Sequence, residues 1–578
     1  MKTLMLGNEA VARGLYEAGC EFVSSYPGTP STEITEKVAK FHEVYAEWAP
    51  NEKVAMEAAF GASLSGRRSF CAMKHVGLNV AADPLFTISY TGVNAGMIIV
   101  VADDAGMHSS QNEQDSRNYA KAAKLPMLEP SDSAEALAFT KAAYEISEKY
   151  DTAVIIKMCT RVAHSQSLVE TGERIIAPEH PYEKNIKKYV MMPGMAKLRH
   201  PIIEKRLESL REIAETSSLN RIEEGSDNTL GFVTSSTCYQ YVKEVFGDKY
   251  PVLKLGMIYP MPVEKIKTFA QKVQRLIVVE ELDGFIEEHC NNIGVKAEGK
   301  AIFGNIGELS QNIVAEKLGN VLSETKKLED DIPNRPPVMC AGCPHRGLFY
   351  TLKKNNLTVL GDIGCYTLGA VAPLSAMDST ICMGASVSSL HGFNKLGGND
   401  KKTVAVIGDS TFMHSGITGL VNIAYNESAS TVIILDNSIT GMTGHQQNPT
   451  TGFNLKGDPC AKIDLEALCR AVGIKNVRVV DPYNLKECND AINEELSKDE
   501  ASVIISRRPC ALLKYVRHNG PLTPDTEKCI GCKSCMKIGC PAISVVDKKV
   551  SIDATLCTGC GVCAQLCRFD ALGVKKEG

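Results

Sequence analysis

Eight cysteines fall between residues 529 and 567, in two runs: Cys529-x2-Cys532-x2-Cys535-x4-Cys540-Pro541 and Cys557-x2-Cys560-x2-Cys563-x3-Cys567. A cuboidal iron–sulfur cluster needs four converging thiolates, and Cys-x2-Cys-x2-Cys wraps one loop around such a cube. The fourth cysteine of each run ordinarily ligates the other cluster, because the two halves are related by a pseudo-twofold axis. The spacing therefore predicts two [4Fe-4S] clusters. One takes Cys529, Cys532, Cys535 and Cys567; the other takes Cys557, Cys560, Cys563 and Cys540. Structural zinc is the competing reading, but zinc closes on paired Cys-x2-Cys units and not on triple ones. Gly531, Gly559, Gly561 and Pro541 suit the tight turns between ligands.

Residues 520–578 resemble the bacterial two-cluster ferredoxins. The first run carries x4 where that family has x3 before its last cysteine, an insertion expected to alter a loop and not the ligation. The whole chain has 578 residues and 21 cysteines. The start, Met1 to Gly14, is a poor signal peptide, and so many thiols without an export signal point to metal or catalysis and not to disulfides. Lys and Arg number 63 against 68 Asp and Glu, a net charge of −5, which argues against a nucleic-acid partner. No apolar run reaches the roughly 18 residues of a membrane span. The expected setting is a reducing cytoplasm.

The rest of the chain reads as α/β. Apolar runs bounded by turn residues, such as Gly96–Ala102 and Ala153–Met158, have the character of buried parallel strands, with helical spacing between them. Five segments are expected: an α/β domain at 1–165; a linker carrying a helix at 166–227; a second α/β domain at 228–330; a third at 335–515; and the cysteine segment at 520–578. The charged, proline-rich stretch 328–337 marks the main boundary.

In the third domain the strand Thr403–Ile407 empties into Gly408-Asp409-Ser410, and the strand Thr431–Leu435 ends in Asp436-Asn437. Ligands in open α/β sheets collect beyond the carboxyl ends of strands. Asp409 and Asn437 could thus present oxygens to one hard cation such as Mg²⁺, which commonly bridges a few carboxyl groups and a substrate's phosphates.

This Gly-Asp-Ser…Asn pattern resembles the thiamine diphosphate motif. The resemblance implies that Asp409, Asn437 and the backbone carbonyl of Ile439 hold the metal, with Gly408 and Ser410 beside the diphosphate; Ser410 stands where the usual residue is Gly. Ser25-Tyr26-Pro27-Gly28-Thr29-Pro30 resembles the Tyr-Pro-x-Thr-Pro loop of the 2-oxoacid:ferredoxin oxidoreductase family, which makes Thr29 the residue beside cofactor or substrate. Met56-Glu57-Ala-Ala-Phe60-Gly61-Ala is similar to that family's Glu-Ala-x-x-Gly-Ala segment. Glu57 is thereby expected to be the buried acid against the aminopyrimidine N1′, general acid–base work. His75, in Lys74-His75-Val-Gly77, is a candidate for acting on substrate or diphosphate, and Gly384 for a cofactor-packing turn.

Together with Cys340-Ala-Gly-Cys343-Pro-His345-Arg346, these motifs make nearly the whole chain similar to the larger subunits of the family's indolepyruvate branch. That implies thiamine diphosphate-binding folds: a pyrimidine domain, a transketolase C-terminal-like domain and a diphosphate domain. It implies oxidative decarboxylation of an aryl 2-oxoacid such as indolepyruvate, with CoA, to arylacetyl-CoA and CO2. Electrons would go to an external ferredoxin, and a separate β subunit would complete an α2β2 assembly. The rival readings are the same chemistry on phenylpyruvate, a branched-chain oxoacid or pyruvate, and a non-catalytic electron-transfer subunit. Cys340, Cys343, Cys365 and Cys510 parallel positions that hold a further cluster in some relatives, provided the four thiols converge.

Overall fold

The computed structural model describes residues 2–320, 332–333, 336–396 and 402–574, in two compact units, 1–329 and 330–578. The boundary stretch expected at 328–337 lies largely outside the described residues.

The first unit holds a seven-stranded sheet. Its order is Met257–Tyr259, Met127–Leu128, Val154–Cys159, Met97–Asp103, Ser69–Lys74, Phe22–Ser25 and Tyr45–Trp48. All of these are parallel except Met257–Tyr259, which runs antiparallel against Met127–Leu128. Strands such as Met97–Asp103 are buried at every position because helices cover both faces, which is why they read as unbroken apolar runs. A second sheet orders Arg275–Val279, Leu230–Thr234, Val252–Leu255 and Asn220–Glu223, the last antiparallel.

The two sheets share one core, in which Met56, Ile99 and Ile155 pack with Leu253, Ile266 and Phe285. The stretch 166–227, expected as a linker with a helix, has more structure than that. It contributes strand Gln166–Glu170, paired with Lys2–Leu6, and edge strand Asn220–Glu223. Its helix, Pro193–Thr216, is tied down by two buried arginines: Arg199 donates to the Tyr90 carbonyl at 2.7 Å, and Arg206 to those of Ser89 and Asp151, each at 2.7 Å.

The second unit is built on a five-stranded, all-parallel sheet ordered Thr358–Leu360, Thr403–Gly408, Thr431–Asp436, Ser502–Arg507 and Asn476–Val480. Apolar cores lie on both faces. The cysteine segment follows as two short antiparallel ribbons, Leu522–Pro524 with Leu572–Val574 and Ile543–Val546 with Lys549–Ile552. Its small core sets Cys529, Cys535 and Cys563 among aliphatic side chains such as Ile538, Ile543 and Val562. Among the described residues, no helix is long and apolar enough to cross a membrane.

Candidate functional site

In the first unit, Thr29 and His75 lie beyond the carboxyl ends of the adjacent parallel strands Phe22–Ser25 and Ser69–Lys74. Thr29 is half-buried in a tight loop, where the Ser31 hydroxyl donates to the Gly28 carbonyl at 2.9 Å. His75 is buried, with Nε2 3.3 Å from the Asn112 carbonyl oxygen. Burial, then the neighbouring Lys74 charge, pushes its pKa down and favours the neutral ring. Lys74 donates to the Ser109 carbonyl at 2.6 Å, on a loop that Asp104 holds by accepting from Ser109 N at 2.8 Å and the Ser110 hydroxyl at 2.6 Å.

Glu57 does not meet the requirement for a buried acid. It faces solvent on helix Glu52–Leu64, 46% exposed, and pairs with Lys53. The buried stripe of that helix runs through Glu52, Ala55, Met56, Ala59 and Ser63, the spacing of one helical face, and Glu57 is out of phase with it. The buried carboxylate is Glu52, at the helix start. A Cβ on Gly77 would sit 2.6 Å from Glu52 Cγ and Oε1, so glycine there lets the carboxylate reach the Lys74–Gly77 segment. The helical phase from Asn51, whose side chain caps Val54 N at 2.9 Å, is the sequence signal that could have selected Glu52.

In the second unit, Gly408 lies directly opposite Leu435 in the parallel ladder, which brings Asp409 and Asn437 side by side. Both are buried. Asn437 Oδ1 lies 3.1 Å from Asp409 Oδ1 and 2.8 Å from the Ile439 carbonyl oxygen. In an octahedral Mg²⁺ shell with bonds of about 2.1 Å, neighbouring oxygens are about 3 Å apart. The two separations match that spacing, so Asp409, Ile439 and an Asn437 oxygen at this place could share such a shell. Without a cation the amide is satisfied the other way round, with Nδ2 donating to the same two acceptors. Asn437 is thus placed to bridge Asp409 and Ile439 by hydrogen bonds or, with its oxygen turned in, to join them as a ligand.

Burial, with Asp436 adding to it, pushes the Asp409 carboxyl up to about 7. A bound cation would oppose that shift. The Thr450 hydroxyl donates to Asp409 Oδ2 at 3.1 Å, and that of Thr440 to Ser410 Oγ at 2.9 Å. Asn437 Nδ2 is 3.5 Å from His345 Nε2, on a ring that burial holds neutral, its pKa down to about 4.

Sequence reasoning missed the role of Asp362. Its carboxylate accepts from the backbone of Gly384 at 3.0 Å and of Ser386 at 3.0 Å, and so holds the turn that carries Gly384. Burial raises its pKa.

The cysteines gather in three sets. A cavity in the ferredoxin-like segment is lined by Cys529, Cys532, Cys535 and Cys567. Cys563 lies within electrostatic reach of Cys560, Cys540 and Cys557. Cys567 thus lies with the first three cysteines of the other run, the grouping that spacing leads one to expect for that set. In the third set, electrostatic influence links Cys343 to Cys340 and Cys365, and Cys365 to Cys510 and Cys340. Among the described residues, no three such side chains stand close enough together to hold one metal ion. Burial pushes Cys343 up to about 12 and Cys563 up to about 12, which leaves protonated thiols where no metal offsets it. The residue inserted in the first run goes to a docking turn: Gly539, just before Cys540, offers its carbonyl to Arg346.

Three family models match the chain. "Pyruvate flavodoxin/ferredoxin oxidoreductase, thiamine diP-bdg" covers residues 13–215, "Thiamine pyrophosphate enzyme, C-terminal TPP binding domain" covers 362–506, and "4Fe-4S dicluster domain" covers 522–568. Fold and site together define a thiamine diphosphate-dependent oxidoreductase of the 2-oxoacid:ferredoxin class. The indolepyruvate oxidoreductase subunit IorA of Archaeoglobus fulgidus is 40% identical over 617 residues, covering 100% of this chain and 98% of its own. That of Pyrococcus horikoshii is 41% identical over 635 residues, covering 100% and 97%. The chain belongs to this IorA family. The 2-oxoglutarate synthase subunit KorA of Archaeoglobus fulgidus is 23% identical over 354 residues, covering 55% of this chain and 98% of its own. A solved 2-oxoglutarate:ferredoxin oxidoreductase from Magnetococcus marinus has 19% identity and a TM-score of 0.47, covering 55% of this chain and 65% of its own.

Proposed function

We propose that the chain is the larger, catalytic subunit of an enzyme that oxidatively decarboxylates an aryl 2-oxoacid, with indolepyruvate the leading candidate. CoA would take the acyl group, giving arylacetyl-CoA and CO2, and two electrons would leave one at a time for an external ferredoxin. A separate β subunit and a cytoplasmic setting belong to the same reading. The observation that carries it is the convergence of Asp409, Asn437 and the Ile439 carbonyl in a chain that also holds gathered sets of cluster-type thiols.

Thiamine diphosphate, when bound, supplies a carbon nucleophile and an electron sink for loss of CO2 from a 2-oxoacid. The residues then divide the work. Asp409, Asn437 and the Ile439 carbonyl would hold Mg²⁺, with Gly408 and Ser410 beside the diphosphate and Gly384 on the turn that Asp362 braces. Glu52, in place of Glu57, would hold a proton against the aminopyrimidine N1′, since general acid–base work there calls for a buried carboxyl. The Thr29 hydroxyl would bind cofactor or substrate, and neutral His75 would orient the substrate. Cys529, Cys532, Cys535 and Cys567 would ligate one [4Fe-4S] cluster, and Cys557, Cys560, Cys563 and Cys540 a second. The gathering of Cys340, Cys343, Cys365 and Cys510 supports a third.

The purified chain, supplied with its smaller partner, CoA and ferredoxin, tests this on a panel of 2-oxoacids. Indolepyruvate and phenylpyruvate should be used with kcat/KM at least about tenfold above pyruvate, a difference of roughly 1.4 kcal/mol in the transition state. A preference for pyruvate would overturn the aryl assignment.

A further inference from the structure

The Cys340–Cys343 loop and the ferredoxin-like segment meet inside the second unit, and two side chains span the junction. Arg346, buried, donates to the carbonyls of Ile538 at 3.0 Å and Gly539 on one side, and to those of Met339 and Cys340, the latter at 3.0 Å, on the other. Tyr483, in the turn after strand Asn476–Val480, donates its hydroxyl to the Gly342 carbonyl at 2.5 Å. Its own carbonyl accepts from Gln565, between Cys563 and Cys567, at 2.7 Å. Gly342 has φ +69°, and a Cβ there would fall 2.3 Å from Thr558 Oγ1, so the loop of one thiol set rests directly on the Cys557–Cys560 loop of the next. The Tyr483 phenol lies within electrostatic reach of both Cys560 and Cys343. Over its ring, 4.0 Å from the centroid, sits the Arg508 guanidinium, held by Asp481 at 2.7 Å and itself in reach of Cys560.

We propose that Tyr483 and Arg508 are positioning residues for electron transfer between a cluster on Cys340, Cys343, Cys365 and Cys510 and the cluster on Cys540, Cys557, Cys560 and Cys563. This rests on the cluster reading above. Tyr483 keeps the two ligand loops in register with its ring beside both. Arg508 favours the reduced, more negative form of the second cluster by its positive charge. Each electron would leave the iron of the first cluster and enter the iron of the second, with no bond of Tyr483 broken and no proton lost from it. From there it would reach a cluster on Cys529, Cys532, Cys535 and Cys567, of which Cys532 is exposed.

The test is an EPR-monitored redox titration of the full-length chain, purified anaerobically and reduced with dithionite, without substrate. The wild type should hold about twelve iron atoms in three reducible clusters. Arg508→Met should retain its iron and lower the reduction potential of one cluster. At that cluster's wild-type midpoint, the reduced-to-oxidised ratio should fall about fivefold or more. Arg508→Lys, which keeps the charge, should restore most of the potential, and Tyr483→Leu should weaken the magnetic coupling between two reduced clusters. Three clusters whose potentials and couplings stay unmoved in Arg508→Met and Tyr483→Leu would overturn this inference alone. If Arg508→Met loses iron, an unchanged coupling in Tyr483→Leu and a shifted potential in Arg508→Lys would equally count against it. About eight iron atoms in the wild type would overturn the third cluster itself, and the inference with it.

Discussion

The Asn437 side-chain amide lies 3.1 Å from the Asp409 carboxylate, across the ends of two adjacent parallel strands, with the Ile439 carbonyl 2.8 Å from the same amide atom. Asp409 and the Ile439 carbonyl are two buried acceptors around one side chain that can either donate to them or, turned, ligate a cation beside them. Asp409→Ala should therefore weaken retention of thiamine diphosphate by about a hundredfold, close to 3 kcal/mol. Equilibrium dialysis with and without Mg²⁺ measures this. EDTA should release the cofactor from the wild type, and undiminished binding in Asp409→Ala would remove this residue from the site.

Helix Glu52–Leu64 offers two carboxylates, and its burial pattern separates them. Glu52→Gln should reduce 2-oxoacid-dependent dye reduction by about a hundredfold or more, the scale of a lost acid–base group, with iron content unchanged. Glu57→Gln, which removes only an exposed pair with Lys53, should leave turnover within about twofold. The opposite ranking would return the role to Glu57.

Cys365 belongs to the third thiol set and to neither ferredoxin-type run. Cys365→Ser should lower iron from about twelve to about eight atoms per chain, and one EPR signal should vanish while the two others persist. Unchanged iron would show that these thiols hold no cluster.

Glu135, in helix Ser133–Tyr150, ties that helix to the second sheet of the first unit, accepting from Arg221 at 2.7 Å and from the fully buried Lys254 at 2.5 Å. Burial alone would raise its carboxyl, but the Lys254 charge and the hydrogen bonds from Arg221, Lys254 and Ser131 outweigh that and hold it at about 2. Its folded pKa is below the usual value of about 4.3, so its stabilisation is complete above that pH and is lost as pH falls toward 2. Glu135→Gln leaves the Lys254 ammonium buried without its partner and should destabilise the unit by about 3 kcal/mol or more at pH 7. Calorimetric unfolding at pH 7 and pH 3 checks both statements. The gap between variant and wild type should narrow at the lower pH.

Local spacing carried much of this protein openly. The two cysteine runs declare their crossed grouping because a cube needs four thiolates and a short loop supplies only three, and Cys567 does complete the set of Cys529, Cys532 and Cys535. Asp409 and Asn437 were legible because each follows a continuous apolar run, which ends where a parallel sheet opens to ligands. What stayed hidden depended on phase and on long-range contact. A family-like Glu-Ala segment singles out Glu57, but burial in a helix is decided by which face meets the core, and that face carries Glu52. Asp362 reads as an ordinary turn residue until the Gly384 and Ser386 amides, more than 20 residues away, fold onto it. The stretch 166–227 reads as a linker because its two strands find their partners elsewhere in the chain.

By itself, then, the sequence determined the chemistry on offer: thiolates at cluster spacing, oxygen ligands at strand ends, and α/β units to carry them. The tertiary structure alone decided which distant groups meet. It brought Cys365 within electrostatic reach of Cys340 and Cys510, set Glu52 against Gly77, and placed Tyr483 under Arg508. The physical reason is that ligand spacing and strand patterning act over a few residues, whereas burial and charge pairing are settled only when remote segments pack together.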